Sequence, residues 1–481
     1  MKKIHESLMF TATCVCMLCF ASCDNEEEME GPSQQEIESD IIGLWEGVEM
    51  TGEETYGDAE ACIEYKADGT YTYYVKSGEG WIPSANVGNE YNVNKNQLTH
   101  RWRPEPGADY QSEWWNIASI KDGQMKWTAL RKKEDGTRFN TTFTWKKVKF
   151  NPTFYVSGKQ FMNASYIFKD NDLLYRLEDN SYVFGLAVMP DGIYAFGSIT
   201  LLDFTTFSMT TIPAVWKNGE RLDIDFGGIE GYLSSMVVAG DKWVCTGVLM
   251  YPDGSRQSVL VENGEIIFRS ETNVEFQNIA YSMSGHYYAL SADDSGVTLW
   301  CIDANTKQLV SKDLIVQGEE GFAWQTGSIY ANKQDIAICL NKTHMPSGMD
   351  YNAYCWINGE LKDLGYGYKL SDLTSFDGDW IVGGSKGKEF NEDGSRLSWT
   401  AFQWVNGTTQ DFSHGQSGNS HLALLKNWNG KYLFQCLVDD SENLKIYSEG
   451  NLLEEIQIPE DLRETFAVSC WDVVMKTVPV Q

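Results

Sequence analysis

Histidine, cysteine and carboxylate side chains carry most acid–base, nucleophilic and metal chemistry, so their spacing is read first. The chain has six histidines: His5, His100, His286, His344, His414 and His421. No His-Glu-x-x-His segment, which would seat a zinc ion on one helix face, occurs among them. His414 and His421 flank a Gly/Ser/Asn stretch with Asp411 nearby. A lone loop histidine is more often solvated than a base, and no motif supports a metal or acid–base role there. Cys62, Cys245, Cys301, Cys339, Cys355, Cys436 and Cys470 form no Cys-x-x-Cys pair, so neither zinc nor a redox couple is implied. Most lie in apolar runs such as Trp243-Val244-Cys245 and Tyr354-Cys355-Trp356, which predicts buried thiols acting as small apolar residues. Their odd number leaves at least one unpaired, and one or two disulfides stay open outside the cytoplasm. Asn391-Glu392-Asp393-Gly394-Ser395 lacks the spacing of a calcium loop and reads as a hairpin turn. The 68 Asp and Glu are too numerous for any pair to stand out as an acid–base dyad. No catalytic set, metal or cofactor emerges. The formal charge of −30 argues against nucleic acid, whose phosphates such a chain repels, and favours solubility.

One further cysteine stands in a different context. Lys2 and Lys3 precede an apolar stretch from Leu8 to Phe20, and Phe20-Ala21-Ser22 leads into Cys23. Charge, apolar run and small residues in that order are the parts of an export signal. The run falls short of the about 20 apolar residues that a membrane span needs. The segment resembles the bacterial lipobox, in which the signal peptide is cut before a cysteine whose thiol and new amine are then acylated. That family prefers Leu where Phe20 stands. The resemblance implies that residues 1–22 are removed and that Cys23, carrying palmitate-type chains, holds the protein to a bilayer. More than one chain is needed for firm anchoring. The acidic run from Asp24 to Glu30, followed by Gly31-Pro32-Ser33-Gln34-Gln35, predicts a solvated tether over residues 23–40. An acidic run in this place resembles the export signal of Bacteroidota surface lipoproteins. It implies an outer-membrane protein facing the cell exterior. Asp24 beside the cysteine also resembles an enteric retention signal, so a periplasm-facing protein is the alternative.

The residues beyond the tether are too many for one small core and predict more than one domain. From 41 to 149, short alternating runs predict strands near 44–50, 61–66, 70–76, 89–93, 97–103, 113–120, 125–131 and 139–147. Asp68-Gly69, Asp122-Gly123 and Asp135-Gly136 fit tight turns between them. Eight short strands favour a closed antiparallel barrel, which leaves no exposed edge. Gly43-x-Trp45 on the first strand resembles lipocalin-like domains and implies that Trp45 closes the barrel's end. Such a barrel holds a small ligand or is filled by its own side chains, for which Trp81, Trp102, Trp114, Trp115 and Trp127 are candidates.

From 152 to 478 the chain repeats. A strand ending in an Asn-Gly-like turn recurs at 171, 219, 264, 305, 359, 407 and 450, with Asn218-Gly219, Asn263-Gly264, Asn358-Gly359 and Asn406-Gly407 the clearest copies. A second signal precedes each. It is an aromatic-rich strand ending in a small residue, as in Tyr194-Ala195-Phe196-Gly197, Trp243-Val244-Cys245-Thr246-Gly247, Tyr287-Tyr288-Ala289-Leu290-Ser291 and Trp380-Ile381-Val382-Gly383-Gly384. The copy at Asp335-Ile336-Ala337-Ile338-Cys339 is degenerate. Four short strands per unit predict a β-propeller of about seven blades. The small residue is expected at a crowded place near the axis. Phe154 to Gly158 matches a second strand with no first, and Phe466 to Val474 matches a first strand with no second, so the two ends are expected to share one blade.

The whole chain is therefore expected to be all-β. Second-to-third-strand loops and inter-blade links share one propeller face, and loops at about 199–212, 341–352 and 385–399 look long. The links carry Tyr232, Phe322, Trp324, Tyr366, Tyr368 and His414. Such aromatics can stack on a ligand, and they can equally wedge between blades. The reading that follows is a tethered binding or scaffold lipoprotein whose ligand is a glycan or a partner protein. A polysaccharide-active enzyme, or an accessory subunit of a surface complex, are the alternatives. A Cys23→Ala variant grown with labelled palmitate should lose the label and leave the membrane fraction. If it stays membrane-bound, the anchor is misread.

Overall fold

The computed structural model describes residues 31–480 except 53–59, 85, 105–106, 133–134, 161–163, 204, 206–207, 228–229, 333–334, 346–350, 377–378, 391–395, 406, 413–419, 429–430, 439–442, 449–450, 461 and 463–465. The chain is almost entirely β and divides into two compact units. One is residues 1–152 with 475–481, the other 153–474. Cys23 and the acidic run lie outside the described residues. Among those described, no helix is long and apolar enough to cross a membrane.

The first unit opens with helix α1, Gln34–Asp40, inside the segment expected to be tether. Ser33 caps it reciprocally: its hydroxyl accepts from the Glu36 N–H while the Glu36 carboxylate accepts from the Ser33 N–H. Ile37 and Ile41 are fully buried in the unit's core, so this part of the expected tether packs with the first unit. Strands β1 (Gly43–Thr51), β2 (Ala61–Tyr65), β3 (Tyr71–Ser77), β4 (Gly80–Pro83), β5 (Val87–Asn94), β6 (Gln97–Arg103), β7 (Gln111–Lys121), β8 (Gln124–Lys132) and β9 (Arg138–Gln160) follow. They pair as β4-β3-β2-β1-β9-β8-β7-β6-β5. At the far ends, Thr70 bridges Glu90 and the Tyr91 N–H donates to the Gly69 carbonyl at 2.8 Å. The core is aromatic. Trp45, Trp115, Trp127, Phe143 and Trp145 are buried together with Tyr65 and Tyr71. Of the five tryptophans expected as filler, only Trp115 and Trp127 serve. Trp81 is buried outside this cluster against Thr477, Trp102 is half-buried, and Trp114 is exposed. The Trp45 indole donates to the Ile41 carbonyl at 2.7 Å, tying β1 to the helix end. His100 lies among these rings with Nε2 2.6 Å from the Tyr65 hydroxyl, and burial pushes its pKa down to about 3.

The second unit is built from four-stranded antiparallel sheets, each pairing its strands in chain order. They occupy residues 181–221, 230–272, 276–317, 322–366, 368–412 and 420–457, numbered here one to six. First strands of successive sheets contact one another, a propeller-like arrangement. β9 runs on past Thr153 and pairs with Ala164–Lys169, which pairs with Asp172–Asp179, while Phe466–Pro479 pairs with β9. Within this unit Asp472 accepts from the Val188 N–H of sheet one at 2.9 Å, and Asn171 accepts from the Gln457 N–H of sheet six at 2.8 Å. The Asn-Gly turns adopt positive φ at both residues: 52° and 84° at Asn218-Gly219, 47° and 94° at Asn263-Gly264, 49° and 95° at Asn358-Gly359.

Every repeat sheet carries a β-bulge in its first strand, opposite the small residue of its second. The register shifts past Val183, Leu233, Phe276, Thr326, Leu370 and Leu422. Their partners are Gly197, Gly247, Ser291, Leu340, Gly384 and Cys436. A Cβ at Gly197 would lie 1.8 Å from the Tyr182 carbonyl oxygen, and one at Gly384 would lie 2.0 Å from that of Lys369. The crowding expected at the axis thus comes from the sheet's own bulged strand. In the degenerate fourth sheet the glycine has moved into the bulge itself, where a Cβ on Gly327 would meet the Cys339 Cβ at 2.8 Å.

Cys62, Cys245, Cys301, Cys339 and Cys355 are buried free thiols, as their apolar contexts predict. Burial pushes the Cys355 thiol up to about 12. Gly197→Ala should destabilise the second unit by about 2–4 kcal/mol in urea unfolding, because backbone rather than a flexible side chain must yield. A loss under about 0.5 kcal/mol, the range of neutral surface changes, would show that the bulge is free to move.

Candidate functional site

The three segments expected as long loops are largely paired. Residues 192–203 and 208–217 run together to Asp203↔Ser208, and Thr343 pairs Tyr351. Gly387 pairs Trp399. Their described residues are hairpin arms that prolong their sheets.

The expected ligand residues fall into two groups. Tyr232, in the first strand of sheet two, is half-buried and its hydroxyl donates to Glu275. Burial first, then the Glu275 carboxylate, pushes its pKa up. The others gather at sheets four and five. Phe322 begins sheet four, is exposed, stands edge-on to His344 with centroids 5.2 Å apart, and has the Lys342 ammonium 4.3 Å from its ring. Trp324 is only 9% exposed. Its indole donates to the Gln317 carbonyl at 3.2 Å and its ring packs edge-on against Tyr354, so it wedges in the core and offers no ligand platform. Tyr366, at the end of sheet four, is 59% exposed. Tyr368 opens sheet five, half-buried and edge-on to Phe402 at 4.7 Å. His414 lies outside the described residues.

Tyr232 leads to a pocket that sequence reasoning missed. Between sheets two and three, Arg256, Asn273, Glu275, Ser291 and Asp293 line a cavity of about 200 Å³. The third strand of sheet two fixes the link that carries Glu275. Ser258 Oγ donates to the Val274 carbonyl at 2.8 Å and accepts from the Phe276 N–H at 2.7 Å. Asn273, at φ 61°, donates its N–H to the Arg256 carbonyl at 2.6 Å. Arg256 Nη1 stands 3.3 Å from Glu275 Oε2 while Tyr232 holds Oε1. Asp293 accepts from the Ser295 N–H at 2.8 Å and from its hydroxyl, and Ser291 Oγ accepts from the Trp300 indole at 2.9 Å. Each carboxylate is therefore engaged, and the one hydroxyl has no histidine beside it. The set offers a fixed array of polar donors and acceptors, suited to holding a polar ligand. Among the described residues, no three His, Cys, Asp or Glu side chains gather as a metal site requires. The only sequence cue to this pocket was Tyr232, because its remaining residues come from a turn, a link and a strand end that are distant in the chain.

No protein-family model matches the chain, and no curated protein matches it. Solved structures give distant likenesses. A puromycin hydrolase is 8% identical with a TM-score of 0.36, covering 77% of this chain and 57% of its own. The chain thus spans little more than half the length of that hydrolase. The periplasmic gluconolactonase of Pseudomonas aeruginosa is 10% identical with a TM-score of 0.35, covering 68% of this chain and 100% of its own. The fungal lectin of Aleuria aurantia, a six-bladed β-propeller that recognises fucose, is 12% identical with a TM-score of 0.29, covering 48% and 80%. Likenesses this distant carry no argument about the site.

Glu275→Leu strips the half-buried Tyr232 hydroxyl of its acceptor and should cost about 1–2 kcal/mol of stability. Arg256→Leu breaks a pair whose side chains are 56% and 38% exposed, and should cost less than about 1 kcal/mol. Equal losses in urea unfolding would show that the ion pair, and not the hydroxyl, holds Glu275.

Proposed function

We propose that this chain is a lipid-anchored binding protein of a bacterial outer membrane, tethered through acylated Cys23 and facing the cell exterior, whose second unit recognises a glycan. In this reading the second unit is a seven-bladed propeller, closed where Phe466–Pro479 joins β9 and its two following strands. The first is a lipocalin-like barrel packed with its own tryptophans, serving as a spacer rather than a ligand cup. The observation that carries the binding role is the pocket between sheets two and three: polar, anchored by backbone hydrogen bonds, and with its carboxylates already paired. An enzyme acting on polysaccharide would need a carboxylate or hydroxyl poised for proton transfer. Glu275, Asp293 and Ser291 are instead held by Tyr232, Arg256, Ser295 and Trp300.

A second reading, accessory subunit of a surface complex, draws on the arm of sheet one. Beyond Ile199 and Ile212 it is two-stranded, and Leu201, Leu202 and Met209 are 49%, 38% and 71% exposed. Leu202 and Met209 are cross-strand partners on one face, and exposed apolar side chains of this kind mark protein contacts. The two readings separate on a glycan array probed with the full chain, followed by product analysis of every hit. The expected result is binding without release of shorter sugars, weakened by Arg256→Ala. Product release would establish the enzyme instead, and an array with no hit would turn the assignment to the subunit.

A further inference from the structure

Five described lysines of the second unit sit on carboxylates: Lys217 on Asp191, Lys242 and Lys307 on Glu262, Lys312 on Glu271, and Lys342 on Glu319. Lys159, Lys169 and Lys369 lie against tyrosine rings instead. Among the described residues no carboxylate pairs with Lys369. Its ammonium rests instead 5.0 Å from the centroid of the Tyr351 ring. Tyr351 begins the third strand of sheet four, and Lys369 lies in the first strand of sheet five, so the contact spans two neighbouring sheets. The Trp399 ring, from the third strand of sheet five, lies 6.3 Å from Tyr351 at 56°.

The backbone fixes this arrangement. The Gly367 N–H donates to the Tyr351 carbonyl at 2.9 Å, and the Gly387 N–H donates to the Gly367 carbonyl at 2.9 Å. Gly387 is also the register partner of Trp399, so no side chain stands across the strand pair from that ring. Lys369 pairs Ser385, two residues before Gly387, which puts Lys369 and Trp399 on the same side of sheet five. Tyr351, Lys369 and Trp399 are all half-buried.

We propose that Tyr351, Trp399 and Lys369 form a second binding site, for an acidic sugar residue bearing a carboxylate or a sulfate. The rings supply flat apolar surface for the C–H face of a pyranose, each with a polar tip. The ammonium supplies the charge partner. An ammonium over an exposed ring gains less than one that forms a charge-assisted hydrogen bond with an anion. An acidic group on a sugar stacked here therefore draws Lys369 off the ring, whereas a neutral sugar leaves it there. The site deepens the glycan reading above and rests on it.

The test uses the full chain with three probes: an oligogalacturonate hexamer, its carboxyl-reduced form, and a sulfated heparin-derived hexasaccharide. The wild type should bind at least one acidic probe about tenfold or more tighter than the reduced form, the discrimination expected for a hydrogen bond to a charged group. The stronger of the two acidic arms identifies carboxylate or sulfate. Lys369→Ala should remove that preference, so that acidic and reduced probes bind alike, and Lys369→Arg should keep it. Trp399→Ala should weaken all three probes alike, with circular dichroism confirming that it folds. Equal wild-type binding of acidic and reduced probes, or a preference that survives Lys369→Ala, overturns the acidic site and leaves the glycan reading standing. Binding of none overturns both.

Discussion

The constraint on which the second unit depends is a carbonyl that must lie flat against a neighbouring strand. In each repeat sheet the first strand bulges, and in sheets one, two and five the bulged strand leaves room only for glycine on the second strand, hence Gly197, Gly247 and Gly384, whereas sheet four sets Leu340 there and carries its glycine, Gly327, within the bulge. The bulge then turns polar groups outward from the sheet toward the next one. Ser234 reaches the Phe276 carbonyl, Gln277 and Asn278 reach Thr326, and Ser328 accepts from the Leu373 N–H. Asn341 exchanges two hydrogen bonds with Leu370 at 2.9 and 2.7 Å. Each bond is worth only about 1 kcal/mol net, yet leaving such groups buried and unpaired would cost more. Apolar packing between sheets supplies the bulk of the stability, as in the cluster of Phe196, Val215, Leu233, Trp243 and Val261. The polar seam supplies the registration.

That registration positions the two places proposed to bind ligand. Glu275 faces its pocket because Ser258 grips the link on both sides of it. Tyr351 meets Lys369 because Gly367 and Gly387 pass hydrogen bonds from one sheet to the next. In both places rigid elements hold the side chains, with no long mobile loop required.

Much of this was legible in the sequence. The Asn-Gly turns announced themselves because positive φ at two successive residues leaves few alternatives. The recurring small residue was visible too, although its cause was not. A bulge depends on which residues face each other across a hairpin, and spacing along one strand does not reveal that. The expected long loops proved to be arms because Thr- and Ser-rich segments such as 208–211 pair readily while lacking the apolar alternation that marks a strand. Helix α1 escaped notice because a single buried isoleucine among Gln, Glu and Ser makes no periodic pattern, though Ser33 and Glu36 did carry the capping signature. Trp324 read either as a ligand platform or as a wedge between blades, because the two share one composition, and the structure makes it a wedge. Lys369 carried no signal at all, since an unpaired charge is defined by what surrounds it in space.

The pairing of Phe466–Pro479 with β9 joins strands some three hundred residues apart, whereas every other sheet of the second unit pairs strands that follow one another in the chain. Loop-closure entropy grows only with the logarithm of the length enclosed, so doubling that span would cost only about 0.6 kcal/mol more. Gain or loss of a whole four-stranded repeat between the two ends would barely alter the entropy of joining them. The joint between the two ends is thus indifferent to the length of chain it encloses, and a lineage can add or drop a repeat between them at little entropic cost.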